Sequence, residues 1–335
     1  MLKTFIAALT VAVVAGSAAH AADISGAGAT FPAPVYAKWA EAYRKETGVG
    51  LNYQAIGSGG GIKQITAKTV DFGATDKPLK PDQLNQIGLI QFPTVMGGVV
   101  PVINLPGVGA GQLKLTGDLL AKIYLGEIKR WSDPAIAAVN GGLRLPNLPI
   151  TVVHRSDGSG TSFVFTSYLT MKNGAWASRV GANDAVEWPT GQGGKGNDGV
   201  SAFVRQTPGA IGYVEYAFAK QNKLNHAQLQ AHDGEFVQPV AASFAVAAAK
   251  ADWAHTPGGS MYMLILDKPG ASWPITAATF ILVYKHQDNP AKGKEVLKFF
   301  DWAYNKGDGL AEQLDYIPLP AAVKAMARKK WQDVR

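Results

Sequence analysis

The sequence predicts an α/β fold of two domains, each a mainly parallel sheet flanked by helices. Segments with strand periodicity and segments with helix periodicity alternate along the chain, Gly and Pro stand between them, and no internal repeat interrupts the alternation. The chain of 335 residues also exceeds the roughly 250–300 residues at which a single hydrophobic core stops growing. We therefore expect two domains.

The individual elements follow from this alternation. An amphipathic helix is predicted at 34–46, because Val35, Trp39 and Tyr43 recur on one face and Gly48 follows its end. Short apolar runs predict strands, and two further amphipathic runs and one hydroxyl-rich run predict helices. The predicted strands are 51–56, 70–75, 98–104, 150–154, 210–216 and 279–284, and the other helices are 62–68, 160–169 and 293–306.

Two extended, proline-bearing runs are predicted to carry the chain between the domains. They are Val99-Val100-Pro101-Val102 and Trp273-Pro274-Ile275-Thr276. With these as a hinge of two crossover segments, residues 22–103 and 276–335 form a discontinuous first domain. Residues 104–275 form the second.

The N-terminus has the three parts of a secretory signal peptide. Lys3 supplies the positive charge, Phe5 to Val14 the apolar stretch, and Ala19-His20-Ala21 the small-residue cleavage site. We therefore expect residues 1–21 to be removed on secretion. The apolar stretch is too short for a membrane anchor, and none is expected elsewhere.

Composition narrows the class of protein further. The chain contains no cysteine, which excludes disulfides and lipidation on an N-terminal cysteine, and this fits a free periplasmic protein. Its formal charge of +7 is spread along the chain and interleaved with acids, unlike the basic stripe of a nucleic-acid binder. A modest positive charge is compatible with attracting small anions. We expect a monomer.

Three segments place small or hydroxyl residues and Gly or Pro just before a helix. They are 26–32, 57–61 and 157–162. Each can present a hydroxyl and free backbone N–H groups at a helix N-terminus, where an anion is favoured. Three such termini at one point could surround a tetrahedral oxyanion with donors.

Taken singly, these residues also have ordinary explanations. Thr30 can be only a helix cap, and the glycine run 57–61 can be a flexible loop. Asp157 can brace Arg155 or form a turn before Gly158, and Asp76 after its strand can be an exposed turn residue. Arg155, four residues before Ser159, is the stronger signal, because its guanidinium is a permanent cation with several donors.

The order of these pieces resembles the periplasmic phosphate-binding proteins of bacterial phosphate-specific ABC importers, the PstS family. The resemblance runs from about Ser25 to Pro320. Its most diagnostic blocks are GAGATFPAPVYAKW (26–39), IGSGGGIKQI (56–65), VDFGATDKPL (70–79), IYLGEIKRW (123–131), RSDGSGTSFVFTSYL (155–169), GGKGNDGV (193–200), PGAIGYVEYA (208–217) and VLKFFDWAY (296–304).

The resemblance implies a type II periplasmic binding protein that closes about a hinge, binds inorganic phosphate without a cofactor or metal, and delivers it to the permease subunits of an inner-membrane ABC importer. It implies that Asp157 pairs with the site arginine and that Asp76 accepts the proton of the phosphate. The implied phosphate contacts are Thr30, Phe31, Ser58, Asp76, Arg155, Ser159, Gly160 and Thr161.

Some features depart from the family or suggest other functions. Ala55 and Gly59 vary the second loop, 254–272 matches no family block, and we interpret 191–196 as a structural loop because it lacks the residues of a nucleotide-binding loop. A phosphatase is disfavoured, since the chain has no cysteine, no H-E-x-x-H and no G-x-S-x-G. Because these motifs are missing, we expect no catalytic residues. Within the class of binding proteins, the alternative ligand is sulfate, or arsenate as a phosphate mimic.

Overall fold

The structure is a computed structural model that describes residues 23–335, so the predicted signal peptide lies outside the described residues. Its helices are α1 (Ala33–Thr47), α2 (Ser58–Thr66), α3 (Pro81–Ile87), α4 (Gly117–Tyr124), α5 (Pro134–Val139), α6 (Gly160–Lys172), α7 (Gly174–Arg179), α8 (Gly196–Gln206), α9 (Tyr216–Gln221), α10 (Ala241–Ala249), α11 (Pro290–Lys306), α12 (Asp308–Glu312) and α13 (Ala321–Trp331). Across residues 23–335, none of the helices combines the length and the apolar character needed to cross a bilayer.

The strands alternate with these helices for much of the chain. They are β1 (Ile24–Gly28), β2 (Leu51–Ala55), β3 (Phe72–Thr75), β4 (Leu89–Asn104), β5 (Lys114–Leu115), β6 (Thr151–Arg155), β7 (Gln192–Gly194), β8 (Ala210–Glu215), β9 (Asn225–His226), β10 (Gln228–Gln230), β11 (Phe236–Val237), β12 (Ile265–Leu266), β13 (Ile275–Tyr284) and β14 (Ile317–Pro318).

The main sheet has the strand order β2-β1-β3-β13-β4-β8-β6-β7, and β5, β10 and β11 form a small second sheet. Strand β1 is parallel to β2 and β3, and β6 is parallel to β7 and β8. The two central strands, β4 and β13, run antiparallel to their neighbours. The predicted α/β class is confirmed, with parallel pairing on both sides of an antiparallel centre.

Strand β4 belongs to both parts of the sheet. It pairs with β13 over Leu89–Gly98 and with β8 over Val99–Asn104. We call the part with β1, β2, β3 and β13 the first lobe, and the part with β6, β7 and β8 the second lobe. The indole N–H of Trp273 donates to the Val99 carbonyl at 2.9 Å, so the two predicted crossover segments lie side by side. The predicted domain boundaries themselves stay a prediction.

Buried aromatic groups fill the core of each lobe. In the first lobe Phe300 packs edge-on against Phe72 and Phe92. In the second lobe Tyr213 stacks on Phe165, which packs against Tyr124. Strand β4 joins the two groups into one continuous core.

The structure differs from the predicted elements chiefly in β4, which begins at Leu89 rather than near residue 98. Gln91 and Pro93 interrupt the apolar pattern in this first part of the strand, so the sequence does not predict a strand there. The buried side chain of Gln91 is satisfied by the backbone N–H and C=O of Leu79, both at 2.9 Å. Pro93 lies opposite Phe280, where the register of β13 shifts, and proline is tolerated at such irregularities.

Helix α2 begins at Ser58, whereas the sequence predicted a helix from residue 62. The glycine run is therefore helical, and the flexible-loop interpretation is wrong. Gly61 shows why glycine is needed: a Cβ there would lie 2.5 Å from Gly28 Cα and 2.6 Å from the Ala27 carbonyl oxygen. The missing side chain lets α2 lie directly on β1.

We predict that Gly61→Ala lowers the free energy of unfolding by about 1–3 kcal/mol, because the new methyl group meets backbone atoms that cannot move aside. The matched control is Gly309→Ala in α12, where a Cβ meets nothing within 4 Å, and helix propensity should raise stability by up to about 1 kcal/mol. Equilibrium urea unfolding measures both changes. Equal stability of the two variants would contradict the packing argument.

Candidate anion-binding site

Three helix N-termini meet where the two lobes are in contact. Thr30 and Phe31 precede Pro32, the N-cap residue of α1, whereas Ser58 begins α2 and Ser159 caps α6. Thr30, Phe31, Ser58 and Ser159 are all buried. The structure thus brings together the three segments that the sequence singled out.

Ser58, Asp76 and Gly160 form the closest part of this junction. The Asp76 N–H donates to Ser58 Oγ at 3.2 Å, which joins the end of β3 to the start of α2. A Cβ on Gly160 would lie 2.5 Å from Ser58 Oγ and 2.7 Å from Asp76 Cβ. Only glycine allows the N-terminus of α6 to approach the first lobe this closely.

The N-terminus of α6 supplies both a cap and free donors. Ser159 Oγ accepts the Ser162 N–H at 3.0 Å, as an N-cap hydroxyl does. Gly160 and Thr161 are the first helical residues, so their N–H groups have no carbonyl partner within the helix. These N–H groups lie at the positive end of the helix dipole.

Arg155 and Asp157 form a bidentate ion pair beside this helix end. Nε of Arg155 donates to Oδ1 of Asp157 at 2.8 Å, and Nη2 donates to Oδ2 at 2.5 Å. Gly196 N–H also donates to Oδ1 at 3.0 Å. Burial opposes ionisation, but the Arg155 guanidinium outweighs it and holds the pKa of Asp157 below its ordinary value. Of the two alternatives for Asp157, the structure forms the ion pair.

Asp76 is a buried carboxyl group at the end of β3, with 1% of its surface exposed. Its Oδ2 accepts a long hydrogen bond of 3.4 Å from Thr161 Oγ1 across the junction. Burial raises the pKa of Asp76 to about 7, although the Thr279 hydroxyl, the Arg155 guanidinium and the Thr161 hydroxyl all lower it. The alternative of an exposed turn residue is therefore wrong, and near neutral pH the carboxyl exists in both protonation states.

Among the buried side-chain atoms at this junction that have no partner within residues 23–335 are one atom of Arg155 and one of Asp76. Nη1 of Arg155 is buried and donates to no atom there, and Oδ1 of Asp76 is buried and accepts from none. Buried polar groups are nearly always hydrogen-bonded. The two atoms are therefore suited to a ligand that accepts one hydrogen bond and donates another.

A second group of residues, which the sequence did not predict, lies behind Thr30. Asn197, Glu215 and Tyr316 are all fully buried. Asn197 donates to Thr30 Oγ1 and accepts the Glu215 N–H, while the Tyr316 hydroxyl contacts the Phe31 carbonyl and Glu215 Oε2. Burial raises the pKa of Glu215 well above its ordinary value.

The sequence signal for this group lies in and just after the glycine-bearing segment 191–196, for which the sequence predicts a structural loop. Gly193 to Asn197 leads from β7 into α8 and is a fourth glycine-bearing helix start. Gly196 contacts the Asp157 carboxylate and Asn197 contacts Thr30, so the segment supports two site residues from behind. Gly196 therefore has a structural role that includes supporting the site residue Asp157.

The lobes also contact each other at the rim of the site. Lys77 Nζ from the first lobe donates to Asp184 Oδ1 at 2.6 Å and to Asn183 Oδ1 at 2.7 Å in the second. The Gly59 N–H donates to the Gly158 carbonyl at 2.9 Å. The junction is therefore enclosed by contacts that cross between the lobes.

Comparison with known proteins gives consistent matches over nearly the whole chain. The model of the PBP superfamily domain matches residues 13–306. The Phosphate-binding protein PstS of Haemophilus influenzae is 55% identical over 314 residues, covering 94% of each chain. The protein of the same name from Pasteurella multocida is 54% identical over 314 residues, covering 93% of this chain and 91% of its own.

Solved structures agree on the fold. A high-affinity periplasmic phosphate-binding protein, solved with bound phosphate, superposes with a TM-score of 0.74 at 22% identity and covers 92% of this chain and 93% of its own. This likeness supports the two-domain fold of a periplasmic binding protein. On the sequence matches, the chain belongs to the PBP superfamily and, within it, to the family of the PstS proteins.

Proposed function

We propose that this protein binds inorganic phosphate between its two lobes and delivers it to the permease of an ABC importer. The observation that carries the proposal is the pair of unpartnered buried atoms, the donor Nη1 of Arg155 and the acceptor Oδ1 of Asp76. Inorganic phosphate keeps at least one proton near neutral pH, so it can accept from the arginine and donate to the carboxylate. The names of the PstS relatives support the same ligand.

The remaining proposed contacts are dipolar donors. They are the hydroxyl groups of Thr30, Ser58, Ser159 and Thr161 and the backbone N–H groups of Phe31 and Gly160. Each stands at the N-terminus of α1, α2 or α6, where N–H groups and the helix dipole favour an anion. Because Asp157 already balances the charge of Arg155, these dipoles would carry much of the stabilisation of the bound anion.

The proposed place of action is the periplasm. The N-terminal segment, with Lys3, the apolar run to Val14 and the cleavage site at Ala19-His20-Ala21, supports secretion through a cleaved signal peptide. The relatives are binding proteins of the PstS type, and no enzyme is among those named above, so we propose binding without catalysis. The monomeric state remains a prediction.

We expect Arg155→Ala to weaken phosphate binding at least about tenfold, because hydrogen bonds to charged groups are worth about 1.5–3 kcal/mol each. Isothermal calorimetry measures the change. The control is Arg179→Ala, which removes an exposed arginine paired with Glu127 and should leave affinity unchanged. The double variant Arg155→Ala/Asp157→Ala separates the effect of losing the cation on phosphate affinity from the effect of leaving the Asp157 carboxylate unpaired. Wild-type affinity in Arg155→Ala would refute the assignment.

We expect Asp76 to set the choice between phosphate and sulfate. Sulfate has no proton to donate. The negative charge of an ionised Asp76 would therefore face the negative charge of sulfate in a buried site, with no hydrogen bond between them. Asp76→Asn should therefore reduce the ratio of the sulfate to the phosphate dissociation constant, which calorimetry at one pH and salt concentration gives. A ratio within about threefold of wild type would show that Asp76 is not the selectivity filter.

The same carboxyl predicts a pH dependence. The raised pKa of about 7 means that Asp76 is largely protonated below about pH 7 and can then donate to sulfate. Wild-type affinity for sulfate should rise as pH falls from about 8 to about 6, and that of Asp76→Asn should not. Parallel pH profiles in the two proteins would assign the effect to another group.

We also expect phosphate to bring the lobes together. Thr161 and Asp184 of the second lobe contact Asp76 and Lys77 of the first, so a ligand held by both lobes favours the closed arrangement. Small-angle scattering of phosphate-free wild type should show a smaller radius of gyration after phosphate is added. Arg155→Ala at the same phosphate concentration is the control for ligand dependence. An unchanged wild-type radius at saturation would contradict closure.

A further inference from the structure

The side chain of Asn197 occupies an unusual position behind Thr30. Asn197 lies in the first turn of α8, is fully buried and makes two hydrogen bonds to one atom. Its backbone N–H donates to Thr30 Oγ1 at 3.1 Å, and its side-chain Nδ2 donates to the same oxygen at 2.7 Å. Thr30 belongs to the first lobe and Asn197 to the second.

These two bonds fix the chemical role of the Thr30 hydroxyl. A hydroxyl group has two acceptor lone pairs and one proton. Both lone pairs are filled by Asn197, so the hydroxyl cannot accept from a third group and its proton is available only for donation. Among residues 23–335, Thr30 Oγ1 accepts these bonds and donates none.

The orientation of the Asn197 amide is itself fixed by its surroundings. Its Oδ1 accepts the Glu215 N–H at 2.9 Å, which directs Nδ2 toward Thr30 and excludes the flipped amide. The backbone donor lies at the N-terminus of α8, an 11-residue helix, so the helix dipole adds to the polarisation of the hydroxyl.

From this arrangement we infer that Asn197 is a positioning residue that commits the Thr30 hydroxyl to donate to the bound oxyanion. The inference rests on the proposed function, because it needs an anion beside Thr30. Since the two residues come from different lobes, the commitment is complete only when the lobes meet. Asn197 thereby makes the donor strength of a first-lobe residue depend on a second-lobe contact.

A double-mutant cycle with Thr30→Val tests this inference, because valine keeps the shape of threonine and removes the hydroxyl. We expect Asn197→Ala to weaken the binding of inorganic phosphate at least about fivefold when Thr30 is present. In the Thr30→Val background we expect it to weaken this binding less than about twofold. Calorimetry measures the four dissociation constants. Equal losses in both backgrounds, or no loss beside Thr30, would overturn the inference.

Two further variants separate positioning from a general structural effect. Asn140 is also buried and bonds backbone atoms, but far from the site, so Asn140→Ala should lower stability and leave phosphate affinity unchanged. If Asn197→Ala does not fold, Asn197→Asp keeps the volume and the acceptor for Glu215 N–H. Asn197→Asp should weaken phosphate binding at least about five times more when Thr30 is present than in the Thr30→Val background, because the aspartate accepts the proton of the Thr30 hydroxyl.

The cycle also distinguishes the inference from the function on which it rests. If wild-type protein does not bind phosphate, the proposed function fails. If wild-type protein binds phosphate and the losses in the cycle are additive, only the role of Asn197 fails.

Discussion

The burial of polar groups at the contact between the lobes is the constraint on which the rest of the site depends. A buried polar group without a hydrogen bond is costly, and a buried charge is more so. Asp157 meets this constraint by pairing with Arg155, and Ser159 meets it by capping α6. Asp76 meets it only in part, and burial raises its pKa to about 7. Two of the atoms left without a partner, Arg155 Nη1 and Asp76 Oδ1, call for a ligand that accepts one hydrogen bond and donates another.

Close backbone approach is the second condition of this arrangement. A Cβ on Gly57 would lie 2.2 Å from Asp157 Oδ2, and a Cβ on Gly160 would lie 2.5 Å from Ser58 Oγ. Both contacts cross between the lobes, so these glycines matter to the meeting of the lobes as well as to the local turns. Gly61 serves the same purpose within the first lobe, where it lets α2 rest on β1.

The parts of this structure that depend on local chemistry could be predicted from the sequence. A cap such as Ser159 and a helix such as α1 depend on neighbouring residues, and the starts of these elements lie within a few residues of their predicted positions. The full length of β4 could not be predicted, because Gln91 and Pro93 look polar or helix-breaking until Leu79 and the shifted register of β13 are known. Asn197 was missed for the same reason, since its partners Thr30 and Glu215 are distant in sequence.

The charge balance of the site explains why proton content can select the ligand. Arg155 and Asp157 together are neutral, so in the proposed site the pair would attract an anion by directed donors more than by net charge. Donors of this kind treat phosphate and sulfate alike, because the two ions have nearly the same size and shape. In the proposed site Asp76 is the group beside them that would respond to a proton on the ligand, and with its pKa of about 7 its own proton would compete with that of phosphate. One proton shared between Asp76 and phosphate would satisfy both groups, whereas we expect sulfate to be accommodated better when Asp76 itself carries the proton.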